Sequence, residues 1–472
     1  MLFNSLTFLV FFLIILIMYN FPLEWKIRKS NLLIASYFFY GVWNPPFVLL
    51  LWLSTIVDWF VAKKIYQAKQ RYIAKLLLLM SLAINIGVLS FFKYGIFFLD
   101  IFSSFMDTFG LSFQPPTWDI ILPVGISFYT FQSLSYTFDI YYKKQKPCNS
   151  FLDFALFVTF FPQLVAGPIV KARQLIPQFT TPKFSTLKNL YWGTIFMTLG
   201  LFQKIILADM LLGPTANIVF SHPESISRME AWLGVLAFSG QILSDFAGYT
   251  TTAIGIALCL GFKLPKNFNY PYAAIGFSDF WRRWHISLSS WLKEYLYFPL
   301  GGNRKNQVRT LINLMLTMLI GGLWHGANWT FVIWGALHGF YLIMEKILLF
   351  ATPEEIRKIK SLRIATGILT FILVLIAWVF FRSPDITSAI TLIDSMFGAN
   401  SQAVPILNSM NIAFTIVTMI LMLAFHSYMR NRELIVIISN APIWLISIIW
   451  SLLIAIIIFS QGSNDAFIYF QF

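Results

Sequence analysis

Thirty-five consecutive residues, Thr310 to Met344, contain no Asp, Glu, Lys or Arg. About 20 apolar residues suffice to cross a bilayer as a helix. A run this long and uncharged constrains the chain to place helices in lipid. Within it stands Gly321-Gly322-Leu323-Trp324-His325-Gly326-Ala327-Asn328-Trp329. A titratable group at membrane depth is costly and faces a cavity or a partner. The small residues beside it let backbones or a ligand approach the imidazole closely.

The rest of the chain agrees with this setting. It is 58% hydrophobic, with a mean hydropathy of +0.72, too apolar for a soluble protein that must keep a polar exterior. Continuous runs such as Leu6 to Met18 do not alternate as barrel strands would. The net charge of +14 comes from bases in loops between apolar segments, which the positive-inside rule explains without nucleic acid. Cys148 and Cys259 have neither CxxC nor metal-type neighbours. The N-terminal apolar stretch, with no basic residues before it and no cleavage site after it, is expected to be a retained helix.

The fold class expected is therefore an all-α polytopic membrane protein of roughly 11 spanning helices, read as one domain over 1–472. Helices are expected to start near Leu6, Asn31, Phe47, Leu76, Ile120, Phe151, Leu190, Trp232, Leu311, Trp329, Leu362, Ile412 and Ile443. Two or three of these segments are expected to be re-entrant or interfacial. Lys26, Arg28 and Lys29, and then Lys63, Lys64, Lys69, Arg71 and Lys75, mark cytoplasmic loops. Asn44-Pro45-Pro46 is then an outside turn and the N-terminus faces out.

Asp279 to Phe298 reads differently. Trp281, Trp284, Leu288, Trp291 and Tyr295 recur at helical spacing, and Arg282, His285, Ser289 and Lys293 form a polar stripe. This predicts one amphipathic helix at the interface or beside a polar cavity.

Two histidines are candidates for chemistry. A neutral imidazole can take and return a proton near neutral pH, which suits base catalysis on a hydroxyl. His325 is either such a base or a buried ring bonded to a neighbouring helix. His285 is either a second site group or an interfacial residue among tryptophans. His338 is expected to be structural, and His222 and His426 lie in or near loops. Asp245 is the one charge between Trp232 and Phe262, with Gln241, Gly248 and Tyr249 near it on a helical wheel. It either has a role in the site or pairs with an Arg to lock helices. Pro123 to Ser127 and Phe161 to Pro168 break apolar segments, either to line a cavity or as ordinary kinks. No G-x-S-x-G elbow, Walker A loop or dinucleotide fingerprint is present.

Together these residues resemble the membrane-bound O-acyltransferase family, most closely its bacterial alginate O-acetylation branch. The likeness rests on Met1 to Ser5, Phe161 to Pro168, Asp245-Phe246-Ala247-Gly248-Tyr249, Trp281 to Leu288, Gly301-Gly302-Asn303-Arg304 and Trp324 to Trp329. It runs from residue 1 to about 345 and more loosely to the end, with core motifs within about 120–345. It implies a helical bundle around a central funnel, with His325 as the catalytic histidine and His285 as the second. Arg282, Asp245, Tyr249, Ser289, Trp324 and Asn328 are expected to bind substrate, and Arg282 with His285 to hold or polarise the acyl group. Many relatives carry Ser-Asp where this chain has Thr250-Thr251.

The activity expected from the resemblance is O-acetyl transfer from a cytoplasmic thioester, acetyl-CoA, toward an extracytoplasmic polysaccharide such as alginate. A periplasmic acetyltransferase partner is expected, with no bound cofactor, metal or nucleic acid, in the inner membrane. Peptidoglycan O-acetylation and D-alanyl transfer to teichoic acid remain open on the same fold. A secondary transporter is the alternative of another class, although no internal repeat supports it.

Overall fold

The computed structural model describes residues 1–114, 120–165, 167–398, 404–460 and 468; Ala166, within the Phe161 to Pro168 motif, lies outside them. All regular elements among the described residues are helices. Eight are long and apolar enough to cross a membrane, and three shorter ones, Leu6–Asn20, Ile386–Phe397 and Ile443–Phe459, are also apolar. Helices begin close to the expected positions at Leu6, Val48, Phe151, Leu187, Gln307, Trp329, Lys360, Ser409 and Ile443. The chain divides into two compact units, Met1–Thr194 with Ala253–Pro265, and Ile195–Thr252 with Lys266–Phe472.

In the first unit, polar side chains stitch apolar helices together. Asp58 on helix Val48–Gln67 accepts from Ser81 and Asn85 on helix Arg71–Leu89. Ser54 donates to Asn85 and meets Ser133 of helix Ile126–Tyr141. These groups are buried, and each hydrogen bond offsets part of the cost of taking a polar atom out of water. The Pro/Gly breaks serve close approach of backbones. Gly125 has φ +73°, and a Cβ there would lie 2.6 Å from the Leu164 carbonyl oxygen, so only glycine fits.

Most of the bases read as loop markers stand on helices: Lys26, Arg28 and Lys29 on Trp25–Gly41, Lys63 and Lys64 at the end of Val48–Gln67, and Arg71 and Lys75 at the start of Arg71–Leu89. Arg28 and Lys29 are buried. Arg28 donates to the carbonyls of Tyr19 and Lys183, and Lys29 pairs with Asp153. By contrast Lys64, Lys69, Arg71 and Lys75 are exposed.

In the second unit the uncharged stretch becomes a helical hairpin, Gln307–His325 and Trp329–Ala351. Asn306 and Asn328 cap the two helices, accepting from the backbone N–H of Arg309 at 2.9 Å and Thr330 at 3.0 Å. Small residues set the spacing. A Cβ on Gly335 would lie 2.5 Å from the Met318 carbonyl oxygen, and one on Gly322 would meet Gly335 and the Phe331 carbonyl. The first helix begins three residues before Thr310. His325 is its last residue, about 27 Å along the axis at 1.5 Å per residue, so it lies at the far end of the helix.

Candidate active site

The segment holding His285 is not one helix. Helix Phe277–Arg283 stops, and a second, Ile286–Leu292, begins with His285 as its N-cap, followed by a π-turn over Lys293–Tyr297. His285 has φ +41°, one of three non-glycine residues with positive φ among the described residues. Such a conformation costs roughly 1–3 kcal/mol and persists only where its surroundings impose it. Here they do. The Ile286 N–H donates to the Asn267 carbonyl at 2.8 Å, and the Asn269 N–H donates to the Arg283 carbonyl at 2.9 Å. The 267–269 backbone thus clamps both sides of the break. The helical periodicity survives because two short helices keep their own registers.

The break turns His285 inward. It is fully buried, its ring edge-on to Phe246 at 4.7 Å and near Trp324 at 5.8 Å. Its Nδ1 lies 3.2 Å from Asn267 Oδ1. The same oxygen accepts from the Ser287 N–H at 3.1 Å and the Ser287 hydroxyl at 2.9 Å. Burial pushes the His285 imidazole down to about 3, so the ring is neutral at ordinary pH.

His325 is 3% exposed and walled by Trp324, Trp334 and Phe381, with ring centroids at 5.0, 4.9 and 5.3 Å. The His285 and His325 rings lie 6.3 Å apart. Two imidazoles separated by 40 positions in sequence therefore share one buried, aromatic-walled enclosure. A low-dielectric site of this kind strengthens every polar interaction made within it. A neutral imidazole there can take up and return a proton.

The other candidates separate. Trp324 belongs to the enclosure. Arg282 does not share it: its side chain is 72% exposed and faces Asp279 at 3.6 Å. Ser289 donates to the Trp284 carbonyl, and Asn328 caps its helix and donates to Pro384. Tyr249 is buried on helix Arg228–Cys259. Asp245 pairs with Lys204 at 2.6 Å and accepts from the Ile468 N–H at 2.9 Å. Lys204 also pairs with Asp209 at 2.8 Å, five residues along the same π-helical stretch, Phe202–Leu212. Gly200 and Gly248 let the two helices touch: a Cβ on Gly248 would lie 2.6 Å from the Gly200 carbonyl oxygen. Thr250 and Thr252 return their hydroxyls to carbonyls of their own helix.

Lys204 and Asp209 had a sequence signal, since they are the two charges between Lys188 and Glu224. Asn267 had none. It is one polar residue in a turn-rich stretch, and only the tertiary clamp gives it a role.

Comparison with known proteins adds the missing constraint. The model of the membrane-bound O-acyltransferase family matches residues 141–384, which is 244 of 472 positions. The chain belongs to this family. Both histidines and Asn267 lie inside the matched stretch. The "Peptidoglycan O-acetyltransferase" of Helicobacter pylori is 40% identical over 398 residues, 79% of this chain and 74% of that protein. The "Probable alginate O-acetylase AlgI" of Pseudomonas aeruginosa is 39% identical over 432 residues, 90% of this chain and 81% of that protein. A "Teichoic acid D-alanyltransferase" of Bacillus subtilis is 30% identical, over 47% of this chain and 58% of that protein. The membership makes this chain a multi-pass membrane acyltransferase.

Proposed function

We propose that this acyltransferase moves acetyl groups from a cytoplasmic thioester, acetyl-CoA, toward an extracytoplasmic polysaccharide such as alginate. The observation that carries the reading is the buried pair His285 and His325, 6.3 Å apart in an aromatic enclosure. His325 takes the proton of the attacking hydroxyl as its oxygen bonds to the acyl carbon. The carbon–sulfur bond breaks and the proton passes to the departing sulfur. A thioester needs little activation, so a positioned base in a dry site is enough.

The polysaccharide acceptor follows from the names of the two most fully matched relatives described above. Peptidoglycan shares the hydroxyl chemistry and is the second reading, supported by the Helicobacter pylori relative. A periplasmic acetyltransferase relays the acetyl group, and the protein sits in the inner membrane with its N-terminus outside. The interposed partner is the first acceptor in this scheme, its hydroxyl meeting the same base.

The test uses membranes containing the full-length protein, its partner and radiolabelled acetyl-CoA. Transfer of label to alginate, with release of CoA, is expected in the intact protein. His325→Ala should lower it by about 10²–10⁴-fold while the protein stays inserted and folded. Near-normal acetylation by a well-expressed His325→Ala protein would overturn the assignment. Solute flux without CoA release would favour a transporter.

A further inference from the structure

The hydrogen bonds around Asn267 decide which nitrogen of His285 carries the proton. A backbone N–H can only donate, so the Asn267 atom 3.1 Å from the Ser287 N–H is the carbonyl oxygen and not the amide nitrogen. An amide oxygen can only accept. His285 Nδ1, 3.2 Å from that oxygen, must then be the donor. In a neutral imidazole the lone pair is left on Nε2.

We propose that Asn267 is a positioning residue that locks His285 in the Nδ1–H tautomer and makes Nε2 a proton acceptor. The consequence for chemistry rests on the acyl-transfer reading above. Polarising an acyl oxygen requires a donor, and neutral His285 in this tautomer offers none at Nε2. Its part is therefore to accept a proton beside His325, not to polarise the carbonyl as the resemblance implies. The hydroxyl proton enters the imidazole pair as the carbon–oxygen bond forms. It leaves to the sulfur as the carbon–sulfur bond breaks.

Two features strengthen the assignment. Asn267 is 1% exposed, and its backbone carbonyl also receives the Ile286 N–H, so the side chain is fixed at both ends. Its neighbour His285 occupies a strained backbone conformation that these bonds hold in place. The acceptor is also a neutral amide. It orients the ring without the charge that a carboxylate would place beside an imidazolium, so a proton taken at Nε2 is readily returned.

The experiment reads the tautomer directly. Full-length protein with ¹⁵N-labelled histidine gives distinct nitrogen shifts for Nδ1–H and Nε2–H rings, and the chain has five histidines. The His285→Gln spectrum assigns the signal. The expected result is an Nδ1–H ring in the intact protein and in Asn267→Asp, which keeps an acceptor oxygen. Asn267→Leu, of similar volume, should move the ring to Nε2–H or a mixture. It should also lower kcat by roughly 10²-fold with KM little changed. An Nε2–H ring in the intact protein would overturn the proposal, as would a wild-type kcat in Asn267→Leu. If Asn267→Leu fails to fold, the intact protein and Asn267→Asp still decide. An Nδ1–H ring in a protein that transfers no acyl group would support the tautomer while refuting the function.

Discussion

Trp334 packs edge-on against His325, with 4.9 Å between ring centroids. The same indole meets His338 at 4.8 Å and is fully buried. Trp334 is thus a wall of the histidine enclosure and a wedge in the core of its unit. Trp334→Ala should remove about 3–5 kcal/mol of stability, the usual cost of emptying a large aromatic site. Trp334→Phe should keep most of the wall. Thermal unfolding in detergent checks the first effect, and acetyl transfer at a temperature where both variants stay folded checks the second. Equal stability of the two variants would contradict the wedge.

The helical hairpin gives a second test. Gly322 and Gly335 let helices Gln307–His325 and Trp329–Ala351 approach at the level just before His325. Gly322→Ala forces a methyl group against the Phe331 carbonyl and Gly335. Overpacking of this kind costs typically about 1–3 kcal/mol. It should also displace His325, three residues on, so activity should fall more than stability does. Gly321→Ala is the control, because its nearest contact is the end of the Leu292 side chain at 3.2 Å. Indistinguishable melting curves and activities for the two alanines would exclude close packing at Gly322.

The contrast between these glycines and Asn267 shows what sequence could and could not convey. Helix starts were legible because long apolar runs have few ways to satisfy their backbone in lipid. His325 was legible because a titratable residue stands out in an uncharged stretch. The break at His285 was not. Trp281, Trp284, Leu288 and Trp291 keep spacings of three and four across it, so local periodicity predicted one helix. What overrules periodicity is the pairing of Asn267 and Asn269 with Ile286 and Arg283, made by residues 14 to 19 positions apart. Arg282 stands outside the histidine enclosure for the same reason. With the helix broken it no longer shares a face with His285.

Asp245 now has a structural test. It lies with Lys204 and Asp209 in a buried ionic cluster. Removing one partner of a buried pair costs about 3–5 kcal/mol, because the other charge remains in a low-dielectric surrounding. Lys204→Met should therefore destabilise strongly, because two buried carboxylates lose the cation that both pair with. Lys204→Met with Asp245→Asn and Asp209→Asn should recover much of the loss. Thermal unfolding of the single and triple variants measures this. A triple variant that regains stability but transfers no acetyl group would give the cluster a role in substrate handling as well. A single variant as stable as the parent would remove the structural role.

The last prediction concerns sidedness. Arg28 and Lys29 are buried with partners of their own, so their positive charge has a local reason and weighs less in orienting the chain. Lys64, Lys69, Arg71 and Lys75 are exposed at the end of helix Val48–Gln67 and the start of the next, with no acid among residues 63–75. By the positive-inside rule this turn is expected on the cytoplasmic side. Its charge would also draw an anionic donor such as CoA. Helix Val48–Gln67 with its preceding turn is long enough to cross, so Pro45 belongs on the opposite side. Pro45 and Gln70 are both exposed, which makes labelling report the side of the membrane and not burial. With Cys148 and Cys259 replaced, a membrane-impermeant thiol reagent on intact cells should label a cysteine at Pro45 and spare one at Gln70. Permeabilised cells should label both. The reverse pattern in intact cells would invert the chain, put the basic turn outside, and reverse the direction proposed for acetyl transfer.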